Sequence, residues 1–195
     1  MIRHSCAHLL AQAVRELYPG AKFFVGPAIE DGFYYDIRVS KDNGEKLGEE
    51  DLKTIEKKMR ALAEANLEIK KIASTKEAVA KKYANDDLKQ EVLKRIPDGS
   101  VSLYAQGEFE DICRGPHVQN TKFLKNFALT RIAGAYLGGD EKREMLTRIY
   151  GVVFADKDSL KKHLTMLEEA KKRDHRKLGK ELDLFSLHEE GPGFP

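Results

Sequence analysis

Two pairs of side chains in this sequence are of the kinds that bind metals, move protons or attack esters. His4 and His8 stand four residues apart in RHSCAHLL, and Cys113 and His117 stand four apart in DICRGPHV. On a helix, positions i and i+4 share a face with their Cβ atoms roughly 5–6 Å apart, so the first pair would point two imidazoles the same way. Gly115 and Pro116 place the second pair on either side of a turn. Three imidazoles and one thiol could close a tetrahedral zinc site, hold a catalytic zinc with one ligand loose, or line a metal-free polar pocket. Spacing alone separates none of these. It does exclude the metalloprotease helix, which needs a glutamate directly after the first histidine; here that residue is Ser5. A single helical histidine pair is more often structural, and a lone cysteine is usually a small buried hydrophobe. Two such pairs in a chain with only six histidines and two cysteines point to a functional site.

The elements that must position these residues are legible from periodicity. Leu9, Leu10, Ala13, Val14 and Leu17 recur at helical spacing over 4–18, and Pro19-Gly20 supplies the stop. Residues 22–38 read as a β-hairpin broken at Glu30-Asp31-Gly32. Leu52, Ile55, Met59 and Leu62 make one stripe of an amphipathic helix over 49–65. A strand is expected over 67–72, short helices over 75–84 and 87–95, and strands at 101–105, 108–113, 127–133 and 147–154. From Asp156 to about Glu181 the pattern is helical again, with fifteen of 26 residues charged, so only a narrow stripe is left to bury. The fold class is α+β: a mixed or antiparallel sheet with packed helices over about 1–155, then a long charged linker helix over 156–182. Residues 183–195, with two prolines and two glycines among the last five, fit no complete element.

Composition narrows the function classes. Hydrophobic residues make up 41% of the 195 residues and charged residues 34%, with a mean hydropathy of −0.53. No run approaches the ~18 apolar residues of a spanning helix, so a membrane protein is not expected. The opening residues lack a basic start followed by an apolar stretch, which argues against export. Cys6 and Cys113 make no disulfide framework, and a reducing cytoplasm follows as the expected compartment. Thirty-four basic against 32 acidic residues leave a net charge of +2. Bulk charge therefore neither demands nor forbids a nucleic-acid partner. The local run Lys171, Lys172, Arg173, Arg176, Lys177 and Lys180 could track phosphates or simply be a solvated helix face.

The segments RHSCAHLLAQAVRELYP, VGPAIEDGFYYDI, DICRGPHV, GAYLGGD, RIYG and EEAKKRDHRKLGKELDLF stand in the order seen in threonyl-tRNA synthetases. Over nearly its whole length the chain resembles their editing domain, the second additional domain shared with alanyl-tRNA synthetases, followed by the linker helix. Residues 183–195 resemble the start of the aminoacylation domain, so ligase activity is not expected of this chain. The resemblance implies post-transfer editing, the hydrolysis of serine mischarged onto tRNA(Thr). It places the pocket at His4, His8, Cys113 and His117, with Asp111 in the same motif. Tyr35 matches a tyrosine lining that pocket, and Lys89 matches the lysine used beside the histidine. Leu88 stands where a tyrosine often precedes that lysine, and Leu137-Gly138 where tryptophan and a basic residue are common.

In the implied mechanism His4 and Lys89 supply base and electrostatics. Asp111 and Cys113 read the seryl hydroxyl and amine, His8 and His117 orient the rest, and a hydroxyl of the terminal adenosine helps place the water. No cofactor is required, although His4, His8, Cys113 and His117 could capture zinc. The implied partners are the tRNA(Thr) acceptor end carrying serine and the remainder of the synthetase, with no membrane. The alternative is a non-catalytic, zinc-stabilised tRNA-binding module with the same four ligands. A small-molecule metal hydrolase is disfavoured by the lack of a bridging carboxylate for a two-metal site.

Overall fold

A computed structural model describes residues 1–41, 44–97 and 99–173. It divides into two compact units, Met1–Ala155 and a second that begins at Asp156. The first unit contains two antiparallel sheets. In the larger, β3 (Gly32–Arg38) pairs along one edge with the short strands β1 (Lys22–Phe23) and β2 (Ala28–Ile29). Its other edge pairs with β8 (Met145–Phe154), which pairs in turn with β7 (Asn126–Tyr136). The smaller sheet has the order β4 (Ile69–Thr75), β5 (Ser100–Gln106), β6 (Phe109–Ile112). Helices and antiparallel sheets together make the α+β fold expected from the sequence.

Helix α1 (Ile2–Leu17) lies at the centre of this unit, against β3 and β8 on one side and α2 (Leu52–Glu64) on another. The sequence suggests one apolar stripe on α1. The structure instead buries every residue from Ser5 to Val14, because sheet and helix enclose it from several sides. That is why alanine and cysteine alternate with leucine here: small side chains let the neighbours approach. The stripe expected on α2 is observed, with Leu52, Ile55, Met59 and Leu62 buried. Fully burying a side chain of this size contributes about 1.5–3 kcal/mol. These residues share one core with Phe33, Tyr35 and Ile37 of β3 and with Phe127 and Ile149 of the neighbouring strands.

Two smaller clusters fix the elements around the site. Val79 of α3 (Lys76–Lys82) and Leu93 of α4 (Asp87–Lys94) pack with Val101 and Leu103 of β5. Leu88 of α4 joins Phe24, Leu137 and Leu146 in the other. The Asp86 side chain caps α4 by accepting the Lys89 N–H at 3.1 Å, which satisfies one orphan donor of its first turn. In the second unit, α5 (Lys157–Lys172) starts at Asp156, whose carboxylate accepts the Ser159 N–H at 2.7 Å. The expected continuation of this helix to 182, Arg176, Lys177 and Lys180 of the basic run, and residues 183–195 lie outside the described residues. No described helix is long and apolar enough to cross a membrane.

Candidate active site

The first two turns of α1 carry His4 and His8, and β6 delivers the other half of the site. Immediately after β6, Cys113 is pinned to β5: its N–H donates to the Ser102 carbonyl at 3.0 Å, and the Ser102 hydroxyl donates to the Cys113 carbonyl at 2.5 Å. The chain then turns through Arg114, Gly115 and Pro116 to His117. Gly115 has φ of +71°, and a Cβ there would collide with the hydroxyl and ring of Tyr104. Only glycine combines that backbone with that neighbour. The Tyr104 ring in turn lies 4.5 Å from the His117 ring.

These two pieces bring all four side chains together. Cys113 Sγ lies 3.2 Å from His4 Nε2 and 3.0 Å from His117 Nε2, and it accepts the Gly115 N–H at 3.2 Å. The His8 ring centre is 4.3 Å from that of His117 and 5.4 Å from that of His4. His8 Nδ1 is buried without a hydrogen-bond partner. One ligand-type atom from each of the four falls within 4.8 Å of all the others. A tetrahedral zinc with bonds near 2.0–2.3 Å sets its ligand atoms roughly 3.3–3.8 Å apart, so these donors suit that ion in kind and need only a small side-chain movement to reach it.

Burial sets the protonation of the cluster. Desolvation, then the charges of His4 and Lys89, push His8 down to about 3. Desolvation and the neighbouring imidazoles push His117 down to about 2, and burial lowers His4 as well. The Cys113 thiol is pushed up to about 11, chiefly by burial. At neutral pH the site therefore holds neutral imidazoles, each with a lone pair available to a proton or a metal, beside a protonated thiol.

A second group borders the first. Tyr35 on β3 donates its hydroxyl to Asp111 Oδ2, and Lys89 of α4 forms an ion pair with Asp111 Oδ1. Lys89 also donates to the Phe24 carbonyl at 3.5 Å. Tyr35, Lys89 and Asp111 are 1%, 3% and 2% exposed, so this charge pair is sealed. An ammonium buried so deeply needs an anion beside it, which explains why Lys89 is not the solvated charge its short polar helix would suggest. The sequence places Lys89 beside His4; in the structure its hydrogen bonds go to Asp111 and Phe24, and its charge is felt by His8. Asp111, expected to read the amino acid, has one oxygen on Tyr35 and the other on Lys89.

Members of both groups line one cleft of about 310 Å³: His4, His8 and Cys113 from the first and Tyr35 and Asp111 from the second, together with residues 24–27. Gly26 belongs here: a Cβ on it would strike the Tyr35 ring. Five of the seven sequence-predicted residues line it; His117 contacts the Cys113 thiol, and Lys89 reaches it only through Asp111 and borders a separate cleft of about 460 Å³. A larger cleft of about 570 Å³, near Arg38, Lys46 and Thr147, contains none of them.

Sequence reasoning missed Ser5, noting it only as a residue that is not glutamate. It is fully buried, and its hydroxyl oxygen lies 3.0 Å from His117 Nδ1. Only the burial of α1, which its periodicity does not show, reveals that this hydroxyl must find polar partners. Tyr104 and Ser102, which fix the Cys113–His117 turn, carry no such mark in the sequence.

Comparison with known proteins adds to this geometry. Residues 101–150 match the family model for the second additional domain of threonyl and alanyl tRNA synthetases. Over its full length the chain is 69% identical to the threonine–tRNA ligase of Campylobacter hominis and 70% identical to that of Campylobacter jejuni subsp. jejuni serotype O:6. It spans 32% of the length of each of these curated relatives.

Proposed function

We propose that this chain, which matches threonine–tRNA ligases over its full length and the second additional domain of threonyl and alanyl tRNA synthetases over residues 101–150, hydrolyses serine mischarged onto tRNA(Thr). The observation that carries this reading is the meeting of neutral imidazoles and a thiol with the sealed Tyr35–Asp111–Lys89 group at one small cleft. Synthesis alone leaks, because the methyl that distinguishes threonine from serine is worth only about 1–3 kcal/mol in a pocket. A second site that admits only the smaller ester multiplies the discrimination.

Ester hydrolysis needs a placed water, a proton acceptor and stabilisation of the developing oxyanion. His4 Nε2 faces Cys113, so Nδ1 is the atom that takes the water's proton. Burial keeps that ring neutral at the working pH, with a lone pair able to accept the proton. Lys89 and Asp111 hold a fixed dipole in the wall, and Tyr35 and Cys113 limit the room beside the serine side chain. The substrate's terminal adenosine contributes a hydroxyl that helps place the water. A zinc ion held by His4, His8, Cys113 and His117 would supply Lewis acidity, or in closed four-ligand form would tie α1 to the turn. The chemistry proposed here requires no cofactor. The reaction belongs in the cytoplasm, on the acceptor end of tRNA presented by the rest of the synthetase.

The four ligand atoms within 4.8 Å of one another favour a second reading, a zinc-stabilised module that binds tRNA without cleaving the ester. Single-turnover deacylation separates the two. The chain should release serine from Ser-tRNA(Thr) much faster than threonine from Thr-tRNA(Thr), with chelator present. Equal rates on the two esters would remove the sieve. Binding without release, together with unfolding on chelation, would establish the second reading.

A further inference from the structure

Ser5 joins the two halves of the site. Its oxygen accepts the Val118 N–H at 3.0 Å and lies 3.0 Å from His117 Nδ1, so both its partners belong to the turn that carries His117. From there the contacts continue from His117 Nε2 to Cys113 Sγ and from Cys113 Sγ to His4 Nε2. Four side chains therefore form one unbranched chain of hydrogen bonds: Ser5, His117, Cys113, His4.

Counting hydrogens allows this chain two directions. A neutral imidazole has one N–H and one lone pair, a thiol has one hydrogen, and a hydroxyl oxygen can accept twice. The thiol hydrogen can point to only one of the two imidazoles. If it points to His117 Nε2, His117 carries its own hydrogen on Nδ1 and gives it to Ser5. His4 then donates Nε2–H to the sulfur and has its lone pair on the ring's other nitrogen, Nδ1. In the opposite direction Ser5 donates to His117, the thiol donates to His4, and His4 offers the cleft an N–H where a base is needed. We propose that Ser5 is a positioning residue: by accepting His117 Nδ1–H it holds His117 in that tautomer, and through Cys113 it leaves His4 Nδ1 free to accept a proton. The Ser5 oxygen is suited to this, since its two lone pairs match the Val118 and His117 donors.

Both the choice of tautomers and its consequence for rate rest on the editing reading, because only the need for a lone pair at His4 Nδ1 selects between the two directions. The test is nitrogen-15 NMR of the metal-free 195-residue chain with labelled histidines, assigned by single substitutions. His117 should be protonated at Nδ1 and His4 at Nε2. Ser5→Ala should let His117 populate the other tautomer and slow single-turnover deacylation of Ser-tRNA(Thr) about 10–100-fold, the scale seen when a histidine loses its outer partner. Its affinity for the tRNA should not change, and Ser5→Thr should restore the tautomer. His117 protonated at Nε2 in the wild type, or an unchanged tautomer in folded Ser5→Ala, overturns the proposal. The wild-type spectrum decides the matter even if Ser5→Ala fails to fold. The expected tautomers in a chain that never releases serine would retain the positioning role and discard the editing reaction.

Discussion

At the scale of single residues, the site divides into groups that do chemistry and groups that hold charge. His4→Ala removes the proposed proton acceptor, so single-turnover release of serine should fall about 10²–10⁴-fold with tRNA affinity retained. Cys113→Ala takes the thiol from the wall beside the serine side chain. It should narrow the rate ratio between Ser-tRNA(Thr) and Thr-tRNA(Thr), which parallel assays on both esters would show. Lys89 has a different signature. Lys89→Met leaves Asp111 buried and unpaired, at a cost of about 3–5 kcal/mol, so thermal unfolding should shift down by about 10 °C. Adding Asp111→Leu should recover part of that loss, because a buried pair is more costly half-removed than absent. A Lys89→Met protein as stable as wild type would mean that the pair is hydrated in solution.

At the scale of elements, the turn between β6 and His117 controls the geometry. Gly115→Ala forces alanine into a left-handed backbone, at about 1–2 kcal/mol, and drives its Cβ against Tyr104. The turn should shift and carry Cys113 and His117 with it. The expected result is a folded protein with modestly lowered thermal stability and deacylation at least about tenfold slower, the sensitivity expected when reacting groups are displaced. Wild-type rates in Gly115→Ala would show that the turn does not position the site. Element boundaries were largely legible in advance: the reading of 4–18 and 49–65 as helices corresponds to Ile2–Leu17 and Leu52–Glu64. The histidine pair was legible because both residues sit on one helix, where spacing sets geometry, and the Cys113–His117 pair because a Gly-Pro turn separates them by only three residues. The meeting of Tyr35 with Asp111 was not legible from spacing, since β3 and β6 belong to different sheets and no local pattern records which faces meet. For the same reason the burial of α1 exceeds what its periodicity suggests: enclosure from several sides is a property of the neighbours.

At the scale of the whole molecule, the imidazoles link the site to acid stability. His8 and His117 titrate near 6.5 when unfolded and are held at about 3 and about 2 when folded. The unfolded chain therefore binds more protons below pH 6.5, and stability must fall as pH drops through that window. Between pH 7 and 5 most carboxylates remain ionised, so denaturant melts in that range should lose stability in wild type and lose less in His117→Asn. Parallel slopes would mean that His117 is not buried as a neutral ring. The same architecture has a kinetic consequence. His4 meets Cys113 across 109 residues of sequence, and Ser5 meets Val118 across 113. Closing loops of that length is entropically costly, and contacts between such distant segments tend to form late. A refolding chain should regain its helical signal before it regains a competent cleft, so recovered ester hydrolysis marks the arrival of long-range order. A chain emerging from the ribosome would follow the same order: α1 is made before β6, and its histidines must wait for that strand and the turn beyond it before they can act.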